Sequence, residues 1–161
     1  MLTTLPQRGD LLVLDSLVHA SIHEGARAGR AEFRTFGHND AQSVEATIRQ
    51  WRSQGGKGRA WIVAESLYSM DGDFAPLEEL AAVADRYDAF LVVDEAHATG
   101  VFGQQGRGLR LLMKDATTSS PFIPAARRWG LLARLSSRRG SCATSLSIAA
   151  ARLFSPPRHR H

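Results

Sequence analysis

Four short runs of apolar or alternating residues punctuate the first hundred positions, and the stretches between them carry apolar residues at helical spacing. Leu11 to Asp15 (LLVLD) follows the turn signal Arg8-Gly9-Asp10 and reads as a buried strand. Ser16 stands where it can cap a helix over about Leu17 to Arg27. Glu32 to Phe36 (EFRTF) alternates and reads as a second strand. His38-Asn39-Asp40 then offers N-cap chemistry for a helix from about Ala41 to Ser53, which Gly55-Gly56 ends. Trp61 to Ala64 (WIVA) is a third strand, and Met70-Asp71-Gly72-Asp73 a turn. Pro76 suits the first turn of a helix running to about Tyr87, with Leu77, Leu80, Ala81 and Val83 on or near one face. Phe90 to Asp94 is a fourth strand.

Continuous apolar strands alternating with helices predict a mainly parallel α/β sheet covered on both faces. Ligands of such sheets gather beyond the carboxyl ends of the strands. Asp15, His19, Glu65, Ser69, Asp94 and His97 all fall at or just past such ends. After Lys114 the pattern fails. Residues 1–115 are expected to form one partial domain, and 116–161 a basic tail without a native fold, in which Trp129 to Leu135 could form a short helix. No internal repeat is evident.

Charge sharpens that boundary. The whole chain nets +4, but all 16 acidic residues lie between Asp10 and Asp115, and residues 1–115 hold 12 lysines and arginines, a net of −4. From Ala116 onward there are 8 arginines and no acid. A basic chain suggests nucleic acid, yet here the inference applies to the tail at most. A non-catalytic protein with a nucleic-acid-binding tail is the alternative from a different class. No run approaches the roughly 20 apolar residues of a membrane span, and the start lacks a basic then apolar leader. A lone cysteine, Cys142, excludes an internal disulfide framework and points to the cytoplasm.

Several chemistries are missing from the sequence. There is no GxxxxGK[ST], no GxGxxG at a strand–helix junction, no G-x-S-x-G and no zinc-ligand spacing. What remains is Asp94 at the end of an apolar strand, His97 three residues on, and the glycine-rich GVFGQQGRG after them. A carboxylate so placed is costly without a cation, and a protonated heterocyclic nitrogen is one that would suit it. His19 follows a strand-end aspartate by four residues, where a flat imidazole could stack on a flat ring. Ser69 could donate to a phenolate or phosphate oxygen. His23 reads as surface, Asp71-Gly72 as a turn, and Asp73 and Glu79 as solvated.

Together, "DSLVHASIHEG", "FGHND", "ESLYSMDGDFAPLEELAAVADRY" and "VVDEAHATGVFGQQGRGL" resemble the α-oxoamine synthases, enzymes of fold-type I that depend on pyridoxal phosphate (PLP). The resemblance covers roughly residues 3 to 112. It implies part of the large domain of a PLP-dependent transferase. It further implies that Asp94 pairs with the pyridinium nitrogen, His19 stacks on the ring, and Ser69 and His97 contact its O3′ side. The reaction implied is decarboxylative condensation of an amino acid (alanine) with an acyl-CoA (pimeloyl-CoA), in a homodimer. A glycine C-acetyltransferase-like reaction is the alternative.

Two departures accompany the resemblance. The family's longer N-terminal region, with a glycine-rich segment at the cofactor phosphate, lies before the point where this chain starts. The family also has a Schiff-base lysine in a [ST]-x-[GS]-K-[AG]-x-G motif about thirty residues past the aspartate, and neither Lys57 nor Lys114 stands in one. This chain alone is therefore expected to be inactive. An out-of-frame tail from about Thr117 accounts for the missing lysine. Thr117 to Ala133 can be encoded so that the frame two bases later reads D-V-I-P-I-H-T-C-G-K-A-L-G, with the lysine codon straddling Ala126 and Arg127.

Overall fold

In the computed structural model, residues 2–103, 105, 108 and 109 are described, together with the strands at 132–136 and 145–149. The elements are β1 (Leu11–Asp15), α1 (Ala20–Arg27), β2 (Glu32–Phe36), α2 (Ala41–Ser53), β3 (Ala60–Glu65), α3 (Leu77–Arg86), β4 (Phe90–Asp94), β5 (Leu132–Ser136) and β6 (Ser145–Ala149). Strands β1 to β4 form one parallel sheet in the order β2-β1-β3-β4.

Alternation along each strand divides the core between two faces. Leu11, Val13, Ile62, Ala64, Leu91 and Val93 pack against α2 and α3. Leu12, Leu14, Trp61, Val63 and Val92 face α1 through Val18, Ile22 and Ala26. All five residues of β1 and all six of β3 are buried, as expected of strands covered on both sides. Burial of each large aliphatic side chain contributes roughly 1.5–3 kcal/mol.

The register brings the strand ends level. Asp15 lies beside Phe36, and Glu65 beside Asp94. Strand β3 runs one residue further than expected, so Glu65 is a strand residue and not part of a turn.

Helix α1 begins three residues later than its sequence suggests. Ser16 does not cap it. The Asp15 carboxylate accepts from the Leu17 amide (2.8 Å) and holds 15–18 as a turn, and His19 becomes the N-cap, its ring accepting from Ser21 N. Helix α2 starts as expected, with Asp40 Oδ1 accepting from the amides of Gln42 and Ser43 at 2.9 and 3.0 Å. Of the helix expected near Trp129 to Leu135, residues 132–135 instead belong to β5, paired antiparallel with β6, and residues 129–131 lie outside the described residues. The polar/apolar alternation of β6, SLSIA, has the period of a strand and not of a helix. Among the described residues no helix is long and apolar enough to cross a membrane.

Candidate functional site

The carboxyl rim of the sheet carries two polar clusters, one around Asp94 and one around His38, with Tyr68 touching both. Glu65 follows Ala64, so it points to the α1 face; Asp94 follows Val93 and does the same. Asp15 follows Leu14 and points to the α2/α3 face.

On the α1 face, Glu65 and Asp94 are direct register partners, 3% and 7% exposed. Glu65 Oε1 accepts from the backbone amide of His19, at the start of α1, where the helix N-terminus favours negative charge. Asp94 Oδ1 accepts from Ala96 N at 2.9 Å, and the Asp94 carbonyl accepts from Ser66 N at 2.8 Å. Burial pushes both carboxyls above their ordinary range. The Ala96 amide and the His97 and His19 imidazoles pull Asp94 back in part, and the His19 amide and the same imidazoles do so for Glu65, against the Asp94 charge. Among the described residues no lysine, arginine or histidine stands within ion-pair distance of Asp94. A buried carboxylate without a cation is the arrangement that a protonated ring nitrogen completes.

His19, Asp94 and His97 thus share one corner. Both imidazoles are solvent-exposed over the buried carboxylate. Ser69 is exposed at the tip of the β3–α3 loop, beyond the Leu67–Phe74 bridge, in a turn closed by Tyr68 N to Asp73 O (3.0 Å) and Gly72 N to Tyr68 O (2.9 Å). After β4 the chain turns tightly, with Thr99 N donating to Glu95 O, and the buried Glu95 carboxylate lies against Gly108. A Cβ at Gly108 would stand 2.5 Å from Glu95 Oε1, so this part of the glycine-rich segment needs a residue without a side chain.

The second cluster was not legible as a site in the sequence. His38, there assigned only to helix capping, bridges two carboxylates: Nδ1 lies 2.9 Å from Asp15 Oδ1, and Nε2 2.8 Å from Asp73 Oδ2. Asn39 N donates to Asp15 Oδ2 (2.9 Å), and Asn39 Nδ2 to Asp73 Oδ2 (2.7 Å). Tyr68 packs edge-on to the imidazole at 4.5 Å, and its hydroxyl accepts from Glu65 N at 3.4 Å. Burial, with the Asp15 carboxylate beside it, drives the Tyr68 phenol far above its ordinary range. Asp73, expected to be solvated, is instead tied by both His38 and Asn39. Asp15 closes β1, His38 follows β2 by two residues and Asp73 lies in the β3–α3 loop; the pairing spans 23 and 35 residues and has no local signature.

The positions where the Schiff-base lysine was expected, around residues 126 and 127, lie outside the described residues, as does Lys114.

Comparison with known proteins agrees with this architecture. A family model described as aminotransferase class I and II matches residues 1–122. An 8-amino-7-oxononanoate synthase of Acidithiobacillus ferrooxidans is 44% identical over 108 residues, covering 67% of this chain and 27% of that protein. A serine palmitoyltransferase of Caulobacter vibrioides is 49% identical over 109 residues, covering 68% and 26%. Among solved structures, a serine palmitoyltransferase from S. paucimobilis with a bound PLP–myriocin aldimine superposes with a TM-score of 0.68 at 31% identity, over 83% of this chain and 31% of that one. The chain therefore spans about 27% of the length of the curated relatives it matches. Its parallel sheet with flanking helices is that of the fold-type I PLP-dependent transferases. With three-quarters of its length matched by the family model, this chain belongs to the aminotransferase class I and II family.

Proposed function

We propose that this chain is part of a cytoplasmic, homodimeric PLP-dependent C-acyltransferase, and that His19, Ser69, Asp94 and His97 form one side of its cofactor site. The observation that carries the proposal is Asp94: a buried carboxylate at a strand end, without a cation among the described residues, near the two exposed imidazoles of His19 and His97. The residues fit the cofactor. Asp94 holds a proton on the ring nitrogen, because an opposite charge in a poorly solvated place favours the charged form. The flat imidazole of His19 covers one ring face, and His97 and the Ser69 hydroxyl serve the phenolic oxygen. Bound there, PLP supplies an electron sink for a carbanion at the amino acid Cα. Glu65 keeps the start of α1, and with it His19, against the rim through the His19 amide.

The reaction proposed is decarboxylative condensation of an amino acid with an acyl-CoA. Alanine and pimeloyl-CoA are favoured by the similarity to 8-amino-7-oxononanoate synthases. A second reading, acyl transfer to serine, is favoured by the 49% identity to a serine palmitoyltransferase and by the solved serine palmitoyltransferase neighbours.

Calorimetric titration of the chain with pyridoxamine phosphate tests the site without requiring a lysine. Asp94→Asn should weaken binding at least about tenfold, the cost of one lost charge-assisted hydrogen bond. Equal affinity of wild type and Asp94→Asn would overturn the assignment.

A further inference from the structure

We propose that His38 is a positioning residue, a proton-dependent clamp that ties the Ser69 loop to the end of β1. Both ring nitrogens of His38 face carboxylate oxygens, Asp15 Oδ1 at 2.9 Å and Asp73 Oδ2 at 2.8 Å. An ionised carboxylate only accepts, and a neutral imidazole has one donor. The bridge is complete only when the ring carries both protons; on deprotonation one nitrogen turns a lone pair toward a carboxylate, and one of the two ties is lost.

The tie matters because of where Asp73 stands. The loop is fastened at its base by Ser66 N to Asp94 O (2.8 Å) and by the Leu67–Phe74 bridge. Towards the tip it is held through Asp73, whose side chain meets His38 and Asn39 and whose carbonyl accepts from Tyr68 N. Ser69 and Met70 lie between those points. Asp15 is fully buried at the end of a central strand, so it forms a rigid anchor, while Asp73 is half-exposed on the loop. The groups facing the ring are Asp15 from β1, Asp73 and Asp71 from the loop, the Tyr68 edge, and Asn39 beside it. The surroundings support the charged form. Partial burial lowers the His38 pKa, but the hydrogen bonds and charges of Asp15 and Asp73 outweigh it, and the net shift is upward from 6.5. The clamp is closed in full below pH 6.5 and is released as pH rises through that higher folded-state value.

That the clamp sets Ser69 for a ligand rests on the cofactor site proposed above; that it holds the loop does not. The test uses the full chain, with EDTA present, in a pH series from about 6 to 9, the range in which histidine switches. NMR follows the His38 ring protons and the exchange protection of the Tyr68 and Gly72 amides. The ring should titrate above 6.5, and the loop protection should fall at the same midpoint, by about tenfold for each unit of upward shift. Asp73→Asn, which keeps the shape and removes one charge, should move the midpoint down. His38→Gln should remove the pH step, while core amides such as Leu12 and Val63 keep their protection. Loop protection that ignores both pH and His38→Gln overturns the clamp, even if Asp94→Asn still abolishes pyridoxamine phosphate binding. A pH step in the loop, with no pyridoxamine phosphate binding by the wild-type chain, leaves the clamp standing and removes its link to the cofactor.

Discussion

Glu65 and Asp94 show how one residue's side of a strand fixes its chemistry. They are neighbours in register, both buried, and both above their ordinary pKa chiefly because burial disfavours their charge. A carboxyl whose folded pKa is raised binds its proton more tightly when folded. It therefore costs nothing below its unfolded pKa and destabilises as pH rises through the folded value. Once both are ionised, the pair holds two like charges side by side. Glu65→Gln keeps an oxygen for the His19 amide and removes one charge. It should raise the melting temperature at pH 7 by a few degrees, about 1 kcal/mol, and the gain should vanish near pH 4, where Glu65 is itself protonated. Melting curves at the two pH values check this; an equal gain at both would show that packing, not charge, is responsible.

At the scale of elements, most of the fold was legible in the sequence because the signals were local. LLVLD, WIVA and FLVVD are apolar runs bounded by turn residues, and Asp40 is an N-cap in both sequence and structure. The start of α1 was not legible, because Ser16 and the Asp15 side chain compete for the same few amides and only the geometry shows that Asp15 prevails. The corner formed by His19, Asp94 and His97 could be anticipated from strand ends alone. Glu65's contact with the His19 amide spans 46 residues and depends on which face each element covers, which no spacing rule carries. The central strand also bears a measurable load. Ile62 is fully buried between β1 and β4 on the α2/α3 face. Ile62→Ala should cost about 2–5 kcal/mol in urea denaturation, against less than about 0.5 kcal/mol for Glu79→Ala on the exposed side of α3. A small loss at Ile62 would mean that this sheet is not the stable unit of the chain.

At the scale of the whole molecule, the change in character after Asp115 remains the dominant feature. Eight arginines without an acid follow a domain rich in carboxylates, and the similarity to curated relatives is confined to about two-thirds of the chain. We propose that the segment from about Thr117 is read out of frame. The nucleotide sequence decides: the frame two bases on should continue without a stop through a GKALG-like motif into roughly 200 further codons, the size of a second domain. An early stop in that frame would leave the tail as a genuine basic extension.

The strand order has one more consequence, in time and not in space. Strand β1 is an interior strand, and both its neighbours, β2 and β3, follow it in the chain. Its partners come late: Leu11 pairs with Glu32 on one edge and with Ala60 on the other. At a synthesis rate of roughly 5–20 residues per second, β1 waits about 2–10 s for its second neighbour. During that interval LLVLD is an apolar segment with unpaired amides and carbonyls, open to any passing strand. The vulnerable interval for β1 thus lasts until residue 60 has left the ribosome, and a factor that shields nascent chains would protect β1 during it.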